Sequence, residues 1–125
     1  NLIVFDAAEL KAPAGTVRAM VGQEMDVFLG AARRSPHEVG LLDLFDIARL
    51  TESLPVNRAL IGIQPQSIEW GMSPTPPVEQ ALPLAVDEAE RLLVKWGQLQ
   101  AKELGQRASE PARPVTWDYT VGRAL

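Results

Sequence analysis

Two uninterrupted apolar runs constrain the fold of this 125-residue chain more than any other feature. Leu2-Ile3-Val4-Phe5 ends at an acid, Asp6, and Ala59-Leu60-Ile61-Gly62-Ile63 follows Arg58. Neither run alternates polar with apolar residues, as a strand with one wet face does. Both therefore read as strands of a parallel or mixed sheet covered on its two faces. A third strand is read over Thr16 to Val21, after the turn signals of Ala12-Pro13-Ala14-Gly15, and its Arg18 suits an edge position. Residues Gly22 to Arg34 read as a mixed connection with a helical turn around Asp26 to Ala32.

The helices follow from spacing. Ser35-Pro36-His37-Glu38 has the form of a capping box: a serine N-cap, proline at the first helical position, and glutamate three residues after the cap. This predicts a helix that begins at His37, the only histidine, and carries Leu41, Leu44, Phe45 and Ala48 as its apolar stripe until Leu54-Pro55 ends it. At a helix N-terminus the dipole disfavours imidazolium, so His37 is biased toward the neutral form that can bind a metal. Val78, Leu82, Ala85, Val86, Ala89, Leu92, Leu93 and Trp96 keep a 3.6 period, which predicts a long helix reaching Leu104. Pro83 either kinks this helix or opens it. The expected architecture is a three-layer α/β/α domain over residues 1–104, with a small, twisted, mostly parallel sheet, and a mobile tail over 105–125. Neither an initiator methionine nor any covering residue precedes the first strand. The chain is thus expected to be the later part of a longer polypeptide, short of a βα unit of roughly 30 or more residues.

Composition narrows the chemistry. The absence of cysteine excludes thiolate catalysis and cysteine-ligated metal, and a net charge of −4 argues against nucleic acid as a partner. No apolar run approaches the ~20 residues that cross a bilayer, so a cytoplasmic protein without a membrane partner is expected. Asp6 stands at the carboxyl end of a strand, the edge of open α/β sheets where ligands bind, and a helix starting at His37 would present its first turn on the same rim. A carboxylate and an imidazole suit zinc, nickel or manganese, though two ligands do not complete a site. The alternative is that Asp6 caps a turn and His37 is a cap residue at the surface. One histidine cannot supply a two-histidine zinc peptidase site, and Ser35 lacks the glycine-flanked elbow of a nucleophile. Glu9, Glu24 and Glu38 read as solvated surface groups. Gln64 to Pro77, with five prolines or glycines around Trp70, reads as a structured loop, in which Trp70 either packs locally or offers an apolar contact to a docking peptide.

Leu2-Ile3-Val4-Phe5-Asp6-Ala7, Pro13-Ala14-Gly15-Thr16, Ser35-Pro36-His37-Glu38-Val39-Gly40-Leu41, Gly62-Ile63-Gln64-Pro65 and Gly71-Met72-Ser73-Pro74, in this order and spacing, resemble the maturation endopeptidases of nickel-iron hydrogenases. The resemblance runs from Asn1 to about Leu93. It implies an aspartic-type metal-dependent hydrolase of α/β/α fold, with Asp6 and His37 as metal-binding residues; Gln64 and Trp70 are read beside it as candidate substrate-binding residues. It also implies no permanent cofactor: nickel arrives with the substrate, and zinc or cadmium can substitute. The implied partner is the hydrogenase large-subunit precursor, from which a C-terminal extension is removed. The resemblance does not identify the attacking group. Members begin with a strand leading to a Gly-x-Gly-Asn turn and an Asp-Glu-Gly segment whose glutamate is a further metal-binding residue, and nothing here matches either. The 125 residues alone are accordingly expected to be inactive. A pseudo-peptidase that docks the precursor without cutting it, and a small α/β enzyme of another chemistry, remain as rival classes.

Overall fold

The computed structural model describes residues 1–31, 40–69 and 73–101, and the backbone of 117–118 and 123–124. Strand β1 (Leu2–Ala7) is followed by β2 (Val17–Val21), helices α1 (Gln23–Ala31) and α2 (Leu41–Leu50), strand β3 (Arg58–Ile63) and helix α3 (Pro76–Lys95). Two short strands, β4 (Trp117–Asp118) and β5 (Arg123–Ala124), pair antiparallel with each other. The rest of the expected tail lies outside the described residues.

The sheet has the order β1-β3-β2. The run with no wet face, β3, takes the centre, and every residue from Ala59 to Ile63 is buried. β1 pairs with it in parallel, Leu2 opposite Arg58 through Ala7 opposite Ile63. β2 pairs with it antiparallel, Val17 opposite Ile63 through Val21 opposite Ala59. The three-stranded sheet is therefore mixed, with β1 and β3 parallel and β2 the one antiparallel strand. The reason lies in the nine residues between β1 and β2, too few for the crossover that parallel strands require, so the chain turns and comes back on the far side of β3. β1 is likewise an edge strand and only half-covered, with Phe5 51% exposed.

Helices cover both faces. On one, Ala81, Ala85 and Ala89 of α3 lie against Ile61 and Ile63, and Ile3, Val17, Ala19 and Val78 pack around them. Small residues at i, i+4 and i+8 let the helix approach the strands closely. On the other, Met25 of α1 and Phe45 of α2 close over Met20 and Leu60. The three-layer α/β/α arrangement is thus present.

The helix ends differ from expectation. α1 is longer than the single turn read from sequence, with Glu24 and Asp26 in its first turn, where carboxylates meet the positive end of the dipole. α2 begins at Leu41, with Gly40 as its N-cap and no side-chain cap; its first turn closes by the Leu44 N–H donating to the Gly40 carbonyl at 3.0 Å. The helix that carries the stripe therefore does not begin at His37, and Ser35 to Glu38 lie outside the described residues. α2 also stops at Leu50, before Leu54-Pro55. Glu52 takes a left-handed φ of 55°, and the N–H groups of Glu52 and Ser53 donate back to Arg49 and Ala48. α3 starts from Thr75 with Pro76 and Pro77 in its first turn and runs through Pro83, whose ring faces solvent. It ends at Lys95, short of Leu104, because Gly97 at φ 71° allows its own N–H and that of Gln98 to satisfy Val94 and Leu93.

Candidate functional site

The carboxyl end of β1 opens into a cleft of about 240 Å³. Asp6, Ala7 and Ile63 form its sheet wall, and Pro65, Ser67 and Glu69 come from the loop after β3. Ser73, Pro74, Thr75 and Val78 form the entrance to α3. Parallel pairing with β3 explains why Asp6 is there: it brings the ends of β1 and β3 to one edge, and the chain leaving β3 folds over that edge toward α3. Asp6 and Glu69 are both exposed, and among the described residues neither has an ion-pair partner. Pro77 has no N–H to offer the Thr75 hydroxyl, and Thr75 Oγ1 is buried with no hydrogen-bond partner among the described residues.

Gln64, between the lining residues Ile63 and Pro65, is only 6% exposed. Its Oε1 accepts the Leu10 N–H at 2.6 Å, and its Nε2 donates to Glu9 Oε2 at 3.3 Å and to the Pro65 carbonyl at 3.4 Å. Its backbone N–H donates to the Thr16 carbonyl at 2.8 Å, and its carbonyl accepts from Gly15 at 2.9 Å. The whole connection from β1 to β2 is thereby tied to the end of β3. Gly15 itself, at φ 84°, lies so close to α3 that a Cβ there would stand 2.6 Å from the Pro77 carbonyl oxygen.

Of the four residues singled out from sequence, Asp6 lines the cleft, and Gln64 does not line it but bonds to the carbonyl of Pro65, which does. His37 and Trp70 lie outside the described residues. No group of three His, Asp or Glu side chains among the described residues could hold a metal ion. Sequence reading did not anticipate Glu69, Ser67, Ser73 or Thr75 as cleft residues. The available signal was the proline- and glycine-rich segment around Trp70, which it did identify as structured.

A charge cluster occupies the opposite end of the sheet. Arg58, at the start of β3, donates from Nη2 and Nε to the Asp26 carboxylate at 2.6 and 2.9 Å, and Arg49 of α2 approaches the same group at 3.1 Å. The hydrogen bond from Arg58 is the main reason that the Asp26 carboxyl lies below its ordinary range, against the opposing effect of burial. This cluster ties α1, α2 and β3 together and is remote from the cleft.

An α/β/α domain with an acid at a strand end facing a cleft defines the class. Residues 1–92 match the hydrogenase maturation protease family, HycI, and the chain belongs to that family. It is 34% identical over 117 residues to the hydrogenase expression/formation protein HoxM of Cupriavidus necator, covering 93% of this chain and 57% of that one. With HupD of Rhizobium leguminosarum bv. viciae it shares 36% identity over 98 residues, 78% of this chain and 48% of the relative. The solved hydrogenase maturating endopeptidase HybD of Escherichia coli superposes with a TM-score of 0.68 at 29% identity, over 76% of this chain and 59% of HybD. The chain thus spans about half the length of the curated relatives it matches.

Proposed function

We propose that this chain forms the Asp6-bearing part of an endopeptidase that acts in the cytoplasm on the precursor of a nickel-iron hydrogenase large subunit, removing a C-terminal extension once nickel has been inserted. The observation that carries this reading is the position of Asp6: a carboxylate without an ion-pair partner among the described residues, on the cleft at the end of β1, inside the segment that matches the protease family. Nickel is here part of the substrate. Asp6 and His37 contribute one oxygen and one nitrogen ligand to it, zinc or cadmium can take its place, and the remaining ligands come from substrate thiolates and from outside the described residues. A metal held in this way positions and polarises the scissile carbonyl for attack. Trp70 provides an apolar contact for the docked peptide, and Gln64 acts through its hold on Glu9, Leu10 and Pro65, which keeps the Pro65 side of the cleft in place.

The test is Asp6→Asn in the complete polypeptide, with removal of the extension followed by the mobility shift of the large subunit. Cleavage is expected to fall by about 100-fold or more, because a neutral amide is a far weaker metal ligand than a carboxylate. Unchanged cleavage overturns the reading. A variant that still binds the precursor and still supports hydrogenase assembly would instead favour a docking module that does not cut. The 125-residue chain alone is expected to leave the precursor uncut.

A further inference from the structure

The cleft carries one carboxylate more than the proposed reaction uses. Asp6 is assigned to the metal, and no step engages Glu69, which the loop after β3 brings to the same cleft. Glu69 is exposed and, among the described residues, has no ion-pair partner. Other acids near the sheet are already engaged: Glu9 accepts from Gln64 and from the Lys11 N–H, Glu24 meets Arg18 at 2.8 Å, and Asp26 holds Arg58 and Arg49. A carboxylate on a concave wall also differs from one on an open surface, because a cleft of one sign of charge focuses its field. The remaining polar side chains there are the hydroxyls of Ser67, Ser73 and Thr75, and no lysine, arginine or histidine among the described residues lines the cleft. Such a lining repels an anion and suits a cation rich in hydrogen-bond donors. Pro65, Pro74 and Val78 add an apolar wall, which fits the aliphatic stem of a long cationic side chain. At about 240 Å³ the cleft is smaller than the roughly 300–1,000 Å³ of sites that enclose a whole small ligand, so it suits one side chain of a docked protein.

We propose that Glu69 is a specificity-determining residue, which pairs with a cationic side chain of the precursor, an arginine in preference to a lysine, seated in this cleft. The proposal rests on the processing reading given above. Charge balance divides the work between the two acids. The positive charge of the metal is met by Asp6 and by substrate thiolates, so Glu69 keeps its own charge until the substrate brings a cation. Arginine fits better than lysine because its planar fork of N–H donors can engage the Glu69 carboxylate in two parallel bonds and still offer donors to the neighbouring hydroxyls.

The test uses the complete polypeptide and a panel of precursors in which each arginine or lysine flanking the scissile bond is replaced singly by glutamine. Glu69→Gln should raise KM for the unaltered precursor about 10-fold and leave kcat within about twofold, and Glu69→Asp should recover part of the loss. One precursor in the panel should raise KM of the wild-type enzyme to a similar degree and have no further effect on Glu69→Gln, since both changes remove the same contact. Added salt should raise the wild-type KM more steeply than that of Glu69→Gln. An unchanged KM in Glu69→Gln overturns the proposal, and so do losses that add at every position of the panel. A fall in kcat at constant KM, with nickel lost from the complex of enzyme and precursor, would make Glu69 a metal ligand and also overturns it. If the wild-type polypeptide leaves the precursor uncut, the processing reading itself fails. If it cuts and Glu69→Gln matches it at every salt concentration, only the role of Glu69 fails.

Discussion

Glu52 holds a backbone conformation that favours glycine, φ 55°, to end α2. A side chain in this region costs roughly 1–2 kcal/mol, and glycine gives back about half of that through its freer unfolded chain. Glu52→Gly should therefore raise stability by about 0.5 kcal/mol, read as a higher urea midpoint with an unchanged slope. A lower midpoint would mean that the Glu52 side chain makes a contribution the backbone argument omits. At this scale the candidate site was legible only in part. Asp6 is visible in the sequence because an acid that closes an apolar run marks the end of a strand. Gln64 is visible as a residue beside the site, but its work is to hold the backbone of another segment 54 residues away, and no local pattern encodes that pairing.

Among the elements, β3 is the one on which β1, β2 and the three helices pack, and Gly62 shows how tightly. A Cβ on Gly62 would stand 2.8 Å from Ala8 Cβ and 3.2 Å from Met20 Cε. Methionine can give way; the short Ala8 side chain cannot move without its backbone. Gly62→Ala is expected to cost about 1–3 kcal/mol in thermal or denaturant unfolding. It should also disturb the cleft, because the Ala8 N–H bonds to the Ile63 carbonyl at the same edge as Asp6. A neutral effect would show that the connection after β1 is free to shift. The identity of β3, and the edge place of β2 with its Arg18, could be read from apolar content alone. The capping box at Ser35 pointed to a helix start that the stripe-bearing helix does not use. A cap signal is worth only ~1 kcal/mol, whereas the register of α2 is set by burial of Phe45 against Met20, Met25 and Leu60. The end of α3, by contrast, had its signal in Gly97.

For the molecule as a whole, acid sensitivity should come from the Asp26 cluster. The carboxyl of Asp26 lies below its ordinary value of 3.8 when folded, so the unfolded chain binds this proton more readily. The resulting stability is fully present above about pH 3.8 and is lost as the pH falls through the lower folded value. Asp26→Asn should cost about 2–3 kcal/mol at neutral pH, since it leaves the half-buried Arg58 without its carboxylate. It should also flatten the dependence of stability on pH in the acid range. An equally steep acid limb in the variant would place the titrating group elsewhere. Because the cluster lies at the end of the sheet away from Asp6, the same change should leave the cleft intact.

What the sequence determined by itself was the inventory of the main sheet: its three strands, an amphipathic α3 whose buried face nonetheless turns Ala81 inward and leaves Leu82 and Val86 exposed, and an acid that closes β1. These depend on local period and composition, which any window of the chain contains. Only the tertiary structure decided the direction of β2, the half-covered edge of β1, the true start of α2 and the joining of Glu69, Ser67 and Thr75 with Asp6 in one cleft. Each of these depends on which distant backbone groups and side chains meet once the sheet forms, and on the reach of the connections between them.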